Sequence, residues 1–224
     1  MKIKISHDWT INEHEALKLQ SALSNKVITQ DKFNEIKYVA GVDVAYDEKN
    51  NVLVAGVAVL EANSLQEIEN TVVKDVVHFP YIPGLFSFRE LPPITKALEA
   101  LKTTPDLIVC DGQGLAHPRR FGLACHLGVL FDVPTIGCGK TKLIGEADAP
   151  GEKRGDFSFL LDQGETIGMV LRTQDRVKPV YISIGHRISL ELARHWILKL
   201  SPSYRLPETT RKADQLVRKT ISSR

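Results

Sequence analysis

Two carboxylates occupy positions where a charge is costly. Asp43 interrupts the apolar run Lys-Tyr-Val-Ala-Gly-Val-Asp-Val-Ala-Tyr at 37–46, and Asp111 closes a second run that begins at Leu107. In an extended strand Asp43 shares a face with Val39, Gly41 and Ala45. A buried carboxylate must be paired or metal-bound. Either acid alone fits a turn or a salt bridge, and Asp-Gly at 111–112 marks a turn by itself. If the two strands are neighbours, both acids face one point, and a divalent cation resolves their repulsion. Mg²⁺ suits this pattern because it takes one or two carboxylates, waters and substrate phosphate oxygens. Glu90 is the third acid. It orients a metal-bound water or binds a second metal, unless it is an ordinary exposed helix glutamate. Lys140 follows Gly-Cys-Gly beyond a short apolar strand. It either stabilises charge on a phosphorane or fixes a carboxylate.

The loop after Asp111, Gly-Gln-Gly-Leu-Ala-His-Pro-Arg-Arg, is rich in glycine and basic side chains. Such a loop on a buried strand suits a phosphate-bearing substrate. His117 reads as a hydrogen-bonding or base-contacting group rather than a metal ligand. His126 and His186 read as structural, and His7, His14, His78 and His195 carry no signal. A nucleotide-binding P-loop ending at Gly139-Lys140-Thr141 is excluded. It needs glycine where Pro134 stands, and Gly145 and Pro150 forbid the long helix that should follow. No nucleophile elbow is present.

The elements that must position these groups follow from the pattern. Residues 10–27 read as an amphipathic helix, capped by Thr10 with Glu13 and striped with Ala16, Leu19, Leu23 and Val27. Strands are predicted at 37–46, 52–60 and about 65–78. The turn at 47–51 and the other short connections imply an antiparallel meander. Phe79-Pro-Tyr-Ile-Pro-Gly84 is a stiff loop. A helix over 85–102 follows, which Pro92-Pro93 must kink or restart. Strands at 106–111 and 133–137, joined by a helix at 121–131, require crossovers and hence parallel pairing. Residues 143–156 read as loop. Further strands at 157–162, 165–173 and 180–184 precede helices at 187–200 and 207–222.

Composition sets the outer bounds. The 224 residues are 43% hydrophobic, enough for one sizeable core. Twenty-nine basic against 27 acidic residues leave a net charge of +2, which does not select nucleic acid as a partner. No apolar run reaches membrane length, and the first residues lack the core of a signal peptide. Three cysteines without metal-type spacing read as reduced thiols of a cytoplasmic protein.

Taken together, Gly-Val-Asp43, Phe-Pro-Tyr-Ile-Pro-Gly84, Phe-Arg-Glu90, Asp111-Gly-Gln-Gly-Leu-Ala-His-Pro-Arg, Gly-Cys-Gly-Lys140-Thr-Lys-Leu and Arg-Leu-Pro-Glu-Thr-Thr-Arg211 resemble endonuclease V, a deoxyinosine 3′ endonuclease, over about residues 8–220. The resemblance implies a single α/β domain over 1–224 with a ribonuclease H-like mixed sheet. Three antiparallel strands and then two parallel ones would be flanked by helices, with extra C-terminal strands and helices. It implies Mg²⁺-dependent cutting of deoxyinosine-containing DNA at the second phosphodiester bond 3′ to the lesion, with Mn²⁺ able to substitute. Asp43, Asp111 and Glu90 would hold the metal, and Lys140 would act at the scissile phosphate. Tyr81, flanked by Pro80, Ile82 and Pro83, would be the wedge that separates bases. Gly84, Gly112, His117 and Leu143 would build the base pocket. A monomer without membrane contact is expected. Some members carry a histidine in the last helix where this chain has Asp214, which is either a fourth acid near the metals or a surface charge. The sequence does not separate a DNA from an inosine-RNA substrate. A non-catalytic binding module would have lost acids that this chain retains.

Overall fold

The computed structural model describes residues 1–47 and 49–222, so Glu48 of the expected 47–51 turn lies outside the described residues. Thirteen elements are described: α1 (Glu13–Ser24), β1 (Tyr38–Asp47), β2 (Val52–Glu61), β3 (Glu67–Val76), α2 (Phe86–Glu99), β4 (Leu107–Cys110), α3 (Leu123–Phe131), β5 (Thr135–Gly139), β6 (Phe157–Asp162), β7 (Glu165–Leu171), β8 (Val180–His186), α4 (Leu190–Leu200) and α5 (Glu208–Ser222). The strands form one sheet in the order β3-β2-β1-β4-β5-β8-β7-β6. β1 pairs antiparallel with β2 and parallel with β4, and β4 pairs parallel with β5. The meander and the two crossovers therefore form as the connection lengths require, and the sheet is of the expected ribonuclease H-like kind.

Strand alternation sorts side chains onto two faces. Ala40, Val42, Val57 and Ile108 bury one face against Leu91, Ile94 and Leu98 of α2 and Leu127 of α3. Val39, Val109 and Ile136 bury the other against Ala193, Trp196 and Ile197 of α4. α5 crosses that second face beside β1. It fits because Gly41 has no side chain: a Cβ there would stand 2.1 Å from the Thr209 carbonyl carbon. Cys110, Cys125 and Cys138 are buried free thiols.

Four local readings shift. α1 is capped by Asn12, not Thr10: Asn12 Oδ1 accepts the Glu15 N–H at 3.0 Å, and Glu15 accepts the Asn12 N–H at 2.9 Å. Both pairs have capping-box spacing, and asparagine is the stronger cap. α2 runs through Pro92 and Pro93 without restarting. An interior proline costs about 3 kcal/mol, whereas burying each large apolar side chain returns about 1.5–3 kcal/mol, so Phe88, Leu91, Ile94 and Leu98 outweigh the loss. β5 starts two residues late, because Asp132 is left-handed at φ 53° and Pro134 cannot donate to a ladder. α4 starts at Leu190 on its Ser189 cap, because Arg187 is also left-handed at φ 54°.

Candidate active site

The register of the central strands brings the two costly carboxylates together. β1 and β4 are aligned with Val42 opposite Cys110, so the next step sets Asp43 level with Asp111, where β4 has ended. Their side chains share the face that α5 covers. Glu90 arrives from α2, on the opposite face of the sheet. It is buried rather than exposed, and its Oε1 accepts the Tyr46 hydroxyl at 2.7 Å. Asp214 reaches in from α5 and accepts from Arg218 Nε at 2.7 Å. Asp43, Glu90, Asp111, Lys140 and Asp214 line one cleft. The ammonium of Lys140 donates to Asp111. Asp214 is therefore a fourth acid at the cleft, not a remote surface charge.

The electrostatics of this cleft are under-neutralised. Burial, and then the charge of Asp111, push the Asp43 carboxyl up to about 7, with Lys140 pulling the other way. Burial drives Glu90 well above the usual carboxylate range. The Tyr46 hydrogen bond opposes that rise, and Asp43 and Asp111 add to it. Burial opposes ionisation of Lys140, but its contact with Asp111 raises it overall. Hard oxygen donors that repel one another across a cleft are the donor set a divalent cation takes. Among the described residues, however, no group of three or more acids, histidines or cysteines stands in ready-made ligand positions. The Lys140 ammonium is the positive charge that Asp111 holds.

A cavity of about 400 Å³ adjoins the cleft and shares Asp111 and Lys140 with it. All four residues named for the base pocket line it: Gly84, Gly112, His117 and Leu143. His117 has no free ring nitrogen. Nε2–H donates to the Gly84 carbonyl at 3.1 Å, and Nδ1 accepts the Arg119 N–H at 3.2 Å. Burial, reinforced by Arg119, lowers its pKa to about 4, in keeping with a neutral ring. A larger, shallower hollow of about 840 Å³ on the β6–β7 hairpin shares no residue with either space.

Tyr81 stands at the rim of the cavity and is 68% exposed. Its loop is held from both sides. Phe79 is buried against Phe88, and its carbonyl accepts Arg89 Nη1 at 2.8 Å. The chain then turns through Ile82-Pro83-Gly84-Leu85, closed by the Leu85 N–H on the Ile82 carbonyl at 2.9 Å. Gly84 has φ +80°, the value a Pro-Gly type II turn needs and other residues resist.

Two residues of the site escaped the sequence reading. Tyr46 lies three residues past Asp43 in the same strand, yet its partner is 44 residues away. Gln20 sits on α1, is 1% exposed, and lines the cavity. No local pattern marks either residue, apart from a polar residue on an apolar helix face in the case of Gln20. His126 is fully buried, with His7 on Nε2 at 2.8 Å and Ser87 on Nδ1 at 2.9 Å.

A mixed sheet whose acids gather where the central parallel strands end places this chain among the ribonuclease H-like α/β proteins. The sequence profile of one family, Endonuclease V, matches residues 21–215. The chain belongs to the endonuclease V family, and is thus a nuclease. It is 49% identical over 217 residues to endonuclease V of Trichormus variabilis, covering 96% of this chain and 98% of the relative. The crystal structure of endonuclease V from Streptomyces avermitilis superposes with a TM-score of 0.92 at 45% identity, over 100% of this chain and 99% of the other. Endonuclease V of Ciona intestinalis, solved with a 24mer DNA containing an inosine followed by a ribo-adenosine, superposes with a TM-score of 0.82 at 27% identity. That match covers 94% of this chain and 98% of the Ciona chain.

Proposed function

We propose that this nuclease recognises deoxyinosine in DNA and hydrolyses the second phosphodiester bond 3′ to it, leaving 3′-hydroxyl and 5′-phosphate ends. The observation that carries the reading is the adjacency of the acidic cleft and the cavity at Asp111 and Lys140. One space suits the backbone ester and the other an extruded base. The motif resemblance supplies the cutting position, and the inosine-containing DNA held by the Ciona relative supports the lesion.

Asp43, Asp111 and Glu90 would hold Mg²⁺, and Asp214 lines the same cleft. When bound, the cation supplies a Lewis acid for the attacking water and the phosphate oxygens. The chain's own groups do the rest. Glu90 is buried and Asp43 and Asp111 are partly so, which lowers the local dielectric and strengthens their hold on a cation. Tyr46 fixes the Glu90 carboxylate by its hydroxyl. Lys140 is placed to meet charge that grows on the phosphate as water adds to phosphorus. The P–O3′ bond then breaks, and the leaving 3′ oxygen takes up a proton. Tyr81, stiffened by its prolines, would fill the gap that the extruded base leaves. His117 lines the cavity with its ring and keeps its nitrogens for the loop.

The same cavity could receive hypoxanthine carried on RNA, and the ribo-adenosine after the inosine in the Ciona complex favours testing that reading. The assay incubates the protein with duplex DNA holding one deoxyinosine, with the matched inosine RNA, and with Mg²⁺, mapping the cut on a gel. We expect a single nick on the DNA. Asp43→Ala and Asp111→Ala should abolish nicking while leaving some binding. Mg²⁺-dependent nicking retained in both variants would refute the site, and much faster RNA cutting would change the substrate.

A further inference from the structure

One backbone oxygen at the end of the Tyr81 loop takes three donors. The Gly84 carbonyl accepts from Gln20 Nε2 at 3.0 Å, His117 Nε2 at 3.1 Å and Arg119 Nη2 at 2.7 Å. The same Gln20 amide nitrogen donates to the Phe121 carbonyl at 2.9 Å, and Gln20 Oε1 accepts Arg119 Nε. Carbonyls only accept, so the Gln20 amide has one possible orientation, and every contact around it is directional. Gly84 and Phe121 lie on different walls of the cavity. Gln20, from a third element, ties them together. Gln20 is the one polar residue among the buried positions of α1.

We propose that Gln20 is a positioning residue that sets Tyr81 over the cavity through the Gly84 carbonyl, so that its loss impairs cutting of paired deoxyinosine far more than of unpaired. The inference rests on the proposed function. Its physical basis is the spacing of the loop. Arg89 anchors Phe79 two residues before Tyr81, and the three-donor clamp anchors Gly84 three residues after it. Between those anchors the turn and the prolines leave little freedom. Releasing the second anchor therefore lets the ring drift relative to the base it must displace. A base that is already unpaired asks nothing of the wedge.

The test compares Gln20→Leu with wild type on a deoxyinosine duplex and on the single-stranded oligonucleotide of the same sequence. Both are assayed with Mg²⁺ and in the presence and absence of Tyr81→Ala. We expect kcat/KM on the duplex to fall on the order of ten- to hundred-fold further than on the single strand, the effect of a misplacement of about 1 Å. The double variant should be no worse on duplex than Tyr81→Ala alone. A 2-aminopurine beside the lesion should lose its unstacking signal in the same variants. Arg119→Lys keeps the charge but loses the fork, and carries the test if Gln20→Leu does not fold. Equal losses on the two substrates, or losses additive with Tyr81→Ala, would overturn the proposal. If wild type cuts neither substrate, the functional reading itself fails, which is a separate result.

Discussion

Gly41→Ala should weaken both the fold and the chemistry from a position that touches no substrate. The added Cβ would lie 2.1 Å from Thr209 C, 2.2 Å from Thr209 O and 2.6 Å from Thr210 N. These are backbone atoms at the start of α5, so no side chain can swing aside. Reaching an ordinary contact of 3.4 Å requires the helix to retreat by about 1.3 Å. Overpacking of this kind costs about 1–3 kcal/mol, and for a chain of this size each kcal/mol lowers Tm by roughly 2–4 °C. Asp214 lies just over one turn along the same helix and moves with it. A shift of about 1 Å at reacting groups can cost on the order of 100-fold in rate. Thermal melting and single-turnover nicking of a deoxyinosine duplex measure the two effects separately. An unchanged melt with an unchanged rate would show that α5 is not seated on β1 as described. A lower melt with full rate would show that α5 does not govern the cleft.

Other expectations follow from individual contacts. Gly84→Ala must adopt φ near +80° and displace the Arg119 guanidinium, whose Nη2 would lie 2.5 Å from the new Cβ. We expect a loss of about 1–3 kcal/mol in urea melts, and an unchanged midpoint would contradict the turn. His117 binds its proton more weakly folded, at about 4, than unfolded, near 6.5. The unfolded chain therefore takes up more protons between those values. The stability this ring contributes is complete above pH 6.5 and drains away as pH falls toward about 4, by at most about 3 kcal/mol. His117→Asn should flatten that part of the pH–stability curve, and an identical curve would refute the assignment. Mg²⁺ should raise the Tm of wild type by mass action and leave that of Asp43→Ala unmoved, and EDTA should reverse the rise. An equal rise in the variant would place the cation elsewhere.

Much of the site was legible because a charge inside an apolar run has few explanations. Asp43 and Asp111 betrayed themselves that way, and the short connections implied the β1–β2–β3 meander, but that their two strands are neighbours came only from the order of the sheet. The two prolines marked the Tyr81 loop as stiff, and the φ of Gly84 then showed its type II turn. Residues whose reason lies across the molecule stayed hidden. Gln20 meets Gly84 and Phe121 at separations of 64 and 101 residues, and nothing near it in the sequence foretells either. Glu90 read equally well as a surface residue until the packing of α2 buried it. The proline pair in α2 misled because the local cost is visible in the sequence and the compensating burial is not. Helix starts moved where a stronger cap or a left-handed residue competed with a plausible one.

The three thiols carry a practical corollary. Cys110 and Cys138 are buried in the sheet and Cys125 on the inner side of α3, and burial drives each pKa upward, so thiolate is scarce at neutral pH. Alkylating dyes should leave the native chain unlabelled without any cysteine being removed. A Phe159→Cys variant, on a half-exposed residue of the far edge strand, would then be the single handle a maleimide finds. A fluorophore hung there would report tumbling and complex formation while sitting well clear of the cleft.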